Sequence, residues 1–321
     1  MAIMILKIYK SNYLLGLLLI PLVALVLCLP IFFTPLHPIN YTYKWETILF
    51  NELQSISWLN FILTFIFLNV NALLLNRFFN KSHFFSKTTY VPAVIYLILI
   101  SFSHTLYFAP YIFEHFLLIL LMTELLNLNQ NESAIDTSFK MGLIIGGLYC
   151  LAPYYLILFP FTWLALLISK AFKVKEWLVY LIGLCVPLIW FYALQFIFDS
   201  SFEFSNFIGK YSLTSQLQII DYIQFFGFGL IGLINLLPLI PYYNHNKVVI
   251  KKQLLLISVL QFFTILILII AYNFFGTLDY SILLPLSILI SINANNMKSD
   301  TFISFLLTIM LIINIVNLFW S

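Results

Sequence analysis

Apolar residues run along the chain in long blocks separated by short polar breaks, and most blocks have the length of a membrane-spanning helix. A helix needs about 20 mostly apolar residues to cross a bilayer. The sequence therefore predicts an all-α fold, a polytopic helical transmembrane bundle that forms a single domain over residues 1–321. About eleven spans are expected, near residues 12–33, 57–76, 90–109, 111–127, 141–152, 153–169, 176–198, 219–242, 252–275, 279–294 and 301–320.

The stretch 141–169 is unusual because its 29 residues are too many for one ordinary span and too few for two full ones. The step from Ala152 to Pro153 predicts two short helices that meet inside the membrane. Irregular backbone at that depth is tolerated only where it is buried in protein or lines a wet cavity. The predicted span 279–294 is also short, so total counts of nine or ten spans stay open.

Composition excludes other classes of protein. Hydrophobic residues make up 63% of the chain, charged residues only 8%, and the mean hydropathy is +1.03. Soluble domains are usually about 45–50% apolar and about 25% charged, so a soluble fold of this composition would aggregate. The same apolar excess excludes disorder. Nucleic acid is excluded as a partner because the net charge is only +3 and the basic residues are scattered singly.

The distribution of basic residues predicts which loops face the cytoplasm. With the N-terminus inside and eleven alternating spans, thirteen of the fifteen Lys and Arg residues fall on the inner side. Only Lys44 and Lys210 fall outside, which is a strong positive-inside signal. The bias favours two crossings over 141–169, because a single crossing would put the lysines at 170–175 outside. We therefore expect a multi-pass membrane protein with its N-terminus in the cytoplasm.

The first outer loop, residues 34–55, contains a predicted amphipathic helix near 43–54 that would lie on the membrane surface. Its apolar residues recur at helical spacing with polar residues between them. Glu46 and Glu52 lie six residues apart on this helix, and an acid there could act as a general base or hold a divalent cation. They are the candidate catalytic residues. The alternative is that both belong to the solvated face of the helix.

His104, Glu114 and His115 flank the outer turn between the third and fourth predicted spans. A carboxylate and two imidazoles this close could bind a metal or relay protons, which makes them candidate substrate-binding residues. The alternative is that these polar groups satisfy one another at the membrane interface. The sequence contains no catalytic motif and no metal-ligand spacing, and it indicates no particular cofactor.

Polar and small residues inside the predicted spans favour helix packing. Asn60, Asn69 and Asn71 line the second span, where amides commonly bond to neighbouring helices, and packing is favoured there over a substrate path. Gly142 and Gly146 similarly predict a close contact between two helices.

Three stretches resemble an uncharacterised family of polytopic inner-membrane proteins of Bacteroidota. They are LNRFFNKSHFFSKTTYVPAVIYLILISF (75–102), FKMGLIIGGLYCLAPYYLILFPFTWLALLISKAF (139–172) and KEWLVYLIGLCVPLIWFYAL (175–194). The resemblance implies a bacterial inner-membrane location. It implies no activity, because that family has none assigned.

The order of parts also resembles the integral-membrane glycosyltransferases of the GT-C superfamily, which use polyprenyl-phosphate sugars. The shared parts are a cytoplasmic N-terminus, a first outer loop with a surface helix, a mid-chain pair of short helices and a second long outer loop. The resemblance implies that Glu46 activates the acceptor and that Lys210 or Lys44 holds the donor phosphate. The chain departs from the pattern because it lacks the adjacent acidic pair and an outer arginine.

Three functions stay open on these grounds. The first is a GT-C-like glycosyltransferase that uses a polyprenyl-phosphate-linked sugar at the outer face. The second is a non-catalytic subunit of a cell-envelope complex, with another membrane protein as partner. The third is a transporter, which requires a polar path that reaches the middle of the bilayer. The lipid bilayer is the expected surrounding in all three.

Overall fold

The computed structural model describes residues 9, 14–32, 44–85, 88–101, 106–128, 134–169, 173–198, 243, 247–272 and 279–296. Within these residues the chain forms helices and no strand, which confirms the all-α class for this part of it. In chain order the helices are α1 (Leu14–Cys28, continued by a 3₁₀ turn at Leu29–Phe32), α2 (Lys44–Ser55), α3 (Ser57–Lys81), α4 (Val91–Ile100), α5 (Pro110–Leu128), α6 (Ile135–Leu151), a 3₁₀ turn (Pro153–Ile157), α7 (Leu158–Ser169), α8 (Val174–Phe198), α9 (Val248–Ile270) and α10 (Leu283–Asn296).

Four of the described helices are long and apolar enough to cross a membrane, by length and composition. They are α3, α5, α9 and the Val174–Ala193 part of α8. Large apolar side chains cover the outer surfaces of α3 and α8, where Trp58 is 70% exposed and Trp190 is 67% exposed. Surfaces of this kind are unfavourable in water and suited to lipid. The predicted spans 219–242 and 301–320 lie outside the described residues.

Two predicted spans are wrong in length, because their helices cover only part of them. In the predicted span 90–109 the helix is α4, which ends at Ile100, and residues 106–109 are not helical. Pro110 begins α5, and the residue before a proline is disfavoured in a helix. The predicted span 279–294 becomes helical only at Leu283. Asp279 accepts a hydrogen bond from the Ser281 backbone N–H at 2.7 Å, a local turn that competes with helix formation.

The centre of the bundle is formed by α4 and α10, which pack against each other. Every residue of α4 is buried, and α10 is buried from Leu283 to Ala294. A helix the length of α4 is only about 15 Å long, roughly half the thickness of the hydrocarbon core. The neighbouring non-helical segments are therefore brought into the protein interior, where Phe108, Asp279 and Ser281 are buried.

The most extensive helix–helix contact in the described chain joins α6 and α8. It is a backbone contact, because a Cβ on Gly142 would collide with Tyr180 O and a Cβ on Gly183 would collide with Phe139 O. This agrees with the close packing predicted from Gly142 and Gly146.

The pairing also fixes direction. Glu176, in the first turn of α8, bonds to the backbone just before α6, while Pro187 O, further along α8, accepts from Cys150 Sγ near the end of α6. The two helices are therefore parallel, and the chain must return between them through α7. This supports two helices, rather than one crossing, over 141–169.

Side-chain contacts show which helix ends lie together. Lys81 Nζ donates to Asn127 Oδ1 at 2.9 Å and joins the ends of α3 and α5. Glu176 Oε1 accepts at 3.3 Å from the backbone N–H before α6 and joins the starts of α6 and α8. Lys252 Nζ lies 3.5 Å from Ser169 O and joins the end of α7 to the start of α9. We call this the lysine end of the bundle, and it also carries Arg77, Lys140, Lys173, Lys175, Lys247 and Lys251.

The opposite end, which we call the Glu114 end, gathers the start of α5, the end of α6 and the segment before α10. Gln54 Nε2 donates to Phe108 O at 2.9 Å, and the Phe108 N–H donates to Asn60 Oδ1 at 2.8 Å. The end of α2 and the start of α3 therefore belong to the same end. From α3 to α8 the long helices run alternately between the two ends, as the predicted topology requires.

Candidate functional site

Three buried side chains from separate parts of the chain meet at the Glu114 end. The Tyr155 hydroxyl oxygen lies 2.9 Å from Glu114 Oε2 and 2.8 Å from Asp279 Oδ2. Tyr155 is fully buried, and Glu114 and Asp279 are 4% and 3% exposed. We call this arrangement the Glu114–Tyr155–Asp279 cluster. It exists only in the folded bundle, because 124 residues separate Tyr155 from Asp279.

Segments between α-helices position two of the three side chains. Tyr155 lies in the 3₁₀ turn that follows Ala152, whose extended backbone (φ −152°, ψ 129°) ends α6 before Pro153. Asp279 lies in the non-helical segment before α10, where the Ser281 N–H fixes one carboxyl oxygen and leaves the other facing Tyr155. Glu114 instead projects from the second turn of α5, a regular helix.

Burial governs the chemistry of Asp279, which precedes the first residue of α10. Removal from water raises the pKa of its carboxyl group above the usual value, because the ionised form loses its hydration. Hydrogen bonds from Ser281, Tyr155 and Tyr154 oppose part of that rise. The protonated form of Asp279 is therefore favoured more than that of an exposed aspartate.

Hydrogen counting gives the protonation state that fits the cluster. The Tyr155 hydroxyl has one proton, although two carboxyl oxygens lie within hydrogen-bond distance of it. A hydroxyl donates one hydrogen bond and accepts others through its lone pairs. If it donates to one carboxylate, the other carboxyl oxygen faces its lone pairs, and a proton on that carboxyl group would pair with them. Two carboxyl groups at one site also oppose each other's ionisation. The geometry therefore fits a pair that holds one shared proton.

His115, next to Glu114 on α5, joins three elements. Its Nε2 lies 3.0 Å from Tyr280 O, and its Nδ1 lies 2.9 Å from the Tyr96 hydroxyl of α4. A carbonyl oxygen can only accept, so Nε2 carries the hydrogen in this pair. The neutral ring then accepts the Tyr96 proton at Nδ1. His115 is fully buried, so both of its ring nitrogens are used inside the protein.

Two of the predicted site residues, Glu114 and His115, are neighbours in the chain and are buried on α5. Glu114 bonds to Tyr155, and His115 bonds to Tyr96 and to Tyr280 O. Glu46 lies within α2, and Glu52 is exposed on the same helix. His104 and Lys210 lie outside the described residues. The predicted helix near 43–54 corresponds to α2, Lys44–Ser55.

Sequence patterns did not single out Tyr155 or Asp279. Tyr155 lies in an apolar stretch where a tyrosine is unremarkable, and Asp279 is simply the first residue of the predicted span 279–294. The proline after Ala152 was the one local signal, and it indicated a break in the helix rather than a partner. The pairing with Glu114 depends on the folded arrangement of α5, α6 and α10.

Asparagines on α3 act in packing. Asn71 Nδ2 donates to Ile112 O at 3.0 Å, and Asn60 Oδ1 accepts from Phe108, so both join α3 to the α5 region. Asn69 Nδ2 bonds to Phe65 O within its own helix at 2.7 Å. These contacts agree with the packing interpretation of the asparagines.

Among the described residues, no group of three or more His, Cys, Asp or Glu side chains could hold a metal ion. Comparisons with family models, with curated proteins and with solved structures gave no match to this chain.

Proposed function

We propose that this chain is a multi-pass carrier of a bacterial inner membrane, which binds a proton at the Glu114–Tyr155–Asp279 cluster and couples proton movement to that of a substrate. The observation that carries the proposal is one hydroxyl placed between two buried carboxyl groups. Ionisable groups inside a membrane domain are costly, and they mark ion pathways and proton relays. A buried pair that gains and loses one proton supplies such a relay.

The distribution of charge supports an outward position for the cluster. The positive-inside rule assigns the lysine end to the cytoplasm, since the described Lys and Arg side chains collect there. The Glu114 end then faces outwards, and α1 starts on the cytoplasmic side. In this orientation the spans predicted at 219–242 and 301–320 complete a bundle of about eleven spans.

Non-helical segments that meet inside the protein support a carrier rather than a static contact between helices. Carrier sites are typically formed where discontinuous helices meet inside the protein. The sequence predicts one such break, after Ala152. The non-helical residues 279–282 precede α10, with Asp279, Ser281 and Ile282 buried, and they meet that break through Tyr155 and Asp279.

Cysteine accessibility distinguishes a carrier from a sealed cross-link. Ser281 and Ser287 are both fully buried, the first beside Asp279 and the second inside α10. In a background with the three native cysteines replaced by alanine, we expect a membrane-impermeant maleimide outside intact cells to label Ser281→Cys but not Ser287→Cys. The exposed Glu52→Cys variant measures the effect of pH on thiol ionisation alone. The ratio of labelling at position 281 to labelling at position 52 should differ between acidic and alkaline medium. A position 281 that stays unlabelled throughout contradicts a carrier.

A second function, outer-face glycosyl transfer, is favoured by the position of α2. The bond from Gln54 to Phe108 holds this helix at the Glu114 end, where a GT-C-like enzyme would have its surface helix. In that case Glu46, with Glu52 as the other candidate, activates the acceptor, and Lys210 or Lys44 holds the phosphate of a polyprenyl-linked sugar.

Membranes that contain the chain, supplied with polyprenyl-phosphate-linked sugars, test this second function. Transfer of the sugar should be seen with the wild type and with Glu124→Gln, whose side chain bonds to Asn127 near the lysine end. It should be lost in Glu46→Gln. Equal transfer by Glu46→Gln and the wild type, or none by the wild type, removes the second function.

A further inference from the structure

We infer that His115 is a positioning residue that fixes the distance between Glu114 and Asp279 and thereby sets the proton affinity of the pair. This inference rests on the proposed function of the Glu114–Tyr155–Asp279 cluster. His115 touches neither carboxyl group of the pair through the hydrogen bonds of its ring. It acts through the backbone of the residue that follows Asp279.

The bond from His115 Nε2 to Tyr280 O holds the segment 279–282 against α5. Tyr280 is the neighbour of Asp279 in the chain, so its carbonyl fixes the backbone one residue from the carboxyl group. The same carbonyl accepts from the Leu283 N–H at 3.0 Å, which ties it to the first residue of α10. Glu114 and His115 are adjacent on one helix, so a single turn of α5 carries one member of the pair and the anchor of the other.

The imidazole is itself held in a fixed orientation. Tyr96, at the middle of the fully buried α4, occupies Nδ1. The Tyr111 ring meets the His115 ring and the Tyr280 ring edge to face, with centroids 6.0 Å apart in both cases. Rotation of the ring would break both nitrogen contacts inside a packed core, where unpaired polar groups are costly. The position of the segment that contains Asp279 therefore depends, through His115, on the positions of α4 and α5.

Loss of the Nε2 donor should lower the proton affinity of the Glu114–Tyr155–Asp279 cluster. The segment 279–282 would then keep its contacts through Tyr155 and through the Tyr111–Tyr280 rings but lose its hydrogen bond to α5, and Asp279 could move away from Glu114. Greater separation reduces the mutual repulsion of the two carboxylates, so the first proton is bound less tightly. Among the described residues, other titratable side chains at this end are Tyr154 and Tyr155 on the 3₁₀ turn, Tyr149 and Cys150 at the end of α6, Tyr107 before α5, Tyr111 and His115 on α5, Tyr96 on α4, Tyr272 after α9 and Tyr280 before α10. The charged residues of α9, Lys251 and Lys252, lie at the lysine end.

Two substitutions separate positioning from general packing. The amide nitrogen of His115→Gln reaches the place of Nε2 and keeps a donor for Tyr280 O, whereas that of His115→Asn reaches only the place of Nδ1. The readout is the carbonyl stretch of a protonated carboxyl group, followed by infrared spectroscopy of the membrane-embedded protein as pH is raised. We expect the pH midpoint to stay near the wild-type value in His115→Gln. In His115→Asn it should fall by about one unit, a tenfold loss of proton affinity.

The outcomes also separate this inference from the proposed function. A midpoint in His115→Asn equal to that of the wild type, or an equal fall in His115→Gln, overturns positioning by His115 and leaves the shared proton intact. A wild-type protein with no titrating carboxyl band overturns the proposed function itself. If His115→Asn does not fold, Tyr96→Phe replaces it, because loss of the Nδ1 partner frees the ring. The midpoint should then fall by a smaller amount, and an unchanged midpoint contradicts the inference.

Discussion

The Tyr155 hydroxyl lies between two buried carboxyl groups, those of Glu114 and Asp279, whose negative charges would repel each other. Two buried carboxyl groups at one site are unfavourable when both are ionised, because each loses hydration and each repels the other. A hydroxyl between them donates to one and accepts from the other, provided that the second is protonated. We propose that the tyrosine thereby favours the singly protonated pair.

Replacement of Tyr155 by phenylalanine should destabilise the protein by about 1–3 kcal/mol, the usual cost of leaving a buried polar partner unpaired. Tyr180→Phe is the matched control, since Tyr180 is fully buried and its hydroxyl faces the neutral side chain of Thr162 rather than a carboxyl group. That variant should lose less stability than Tyr155→Phe. Thermal unfolding in detergent measures both, and equal stabilities for the two variants would count against a role for the Tyr155 hydroxyl.

Sequence could identify Glu114 and His115 because a charged or imidazole side chain stands out in an apolar block. Tyr155 could not be identified in this way, since it is one of 19 tyrosines in the chain. Asp279 was visible as an acid at a predicted helix end, but its burial was not. Burial and partnership depend on which helices pack together, and no local pattern encodes that.

Among the elements, the α6–α8 pair shows how small residues set helix distance. A Cβ on Gly146 would lie 2.6 Å from Leu184 O, and a Cβ on Gly142 would collide with Tyr180 O. Helices without a hydrophobic driving force between them associate through such close packing in membranes. This contact holds α8 parallel to α6, and the 3₁₀ turn with Tyr155 follows directly after α6.

Gly142→Ala should therefore destabilise the protein by about 1–3 kcal/mol, as overpacking does in a well-packed core. Gly147→Ala is the control on the same helix, because its Cβ would lie 3.6 Å from Leu117 Cδ1, an ordinary contact. The control should be neutral or slightly stabilising, since alanine is the better helix former. Unfolding temperatures that fall equally in both variants would contradict the backbone contact.

The long apolar blocks predicted α3, α5, α8 and α9 well, because twenty apolar residues in a row have few alternatives to a spanning helix. The ends of α4 and α10 were not predicted. An apolar block shows that a segment avoids water but not where its helix begins. The Asp279 turn and the non-helical approach to Pro110 are determined by side-chain hydrogen bonds and by proline geometry.

At the scale of the whole molecule, the described side chains divide the bundle into a lysine end and a Glu114 end. Contacts alone establish this division, and it agrees with the alternation deduced from basic residues in the sequence. The positive-inside rule favours the lysine end as the cytoplasmic one, and the proposed orientation puts the cluster at the outer face.

Cysteine labelling of intact cells tests that orientation. In a background without native cysteines, Glu52→Cys on α2 should react with a membrane-impermeant maleimide added outside. Lys140→Cys and Lys175→Cys should react only after the membrane is permeabilised, because both lie at the lysine end and are exposed. The opposite pattern would mean that the topology is inverted. Labelling of all three cysteine variants from outside would contradict a bundle with two distinct ends.

Infrared spectroscopy of the membrane-embedded protein is the most direct test of whether Glu114 and Asp279 hold one proton between them. At pH 7 the wild type should show the carbonyl band of a protonated carboxyl group, and so should the control Glu124→Gln, whose acid lies near the lysine end. The double variant Glu114→Gln with Asp279→Asn should lack that band. A wild type without the band at pH 7, or a double variant that keeps it, would contradict the shared proton.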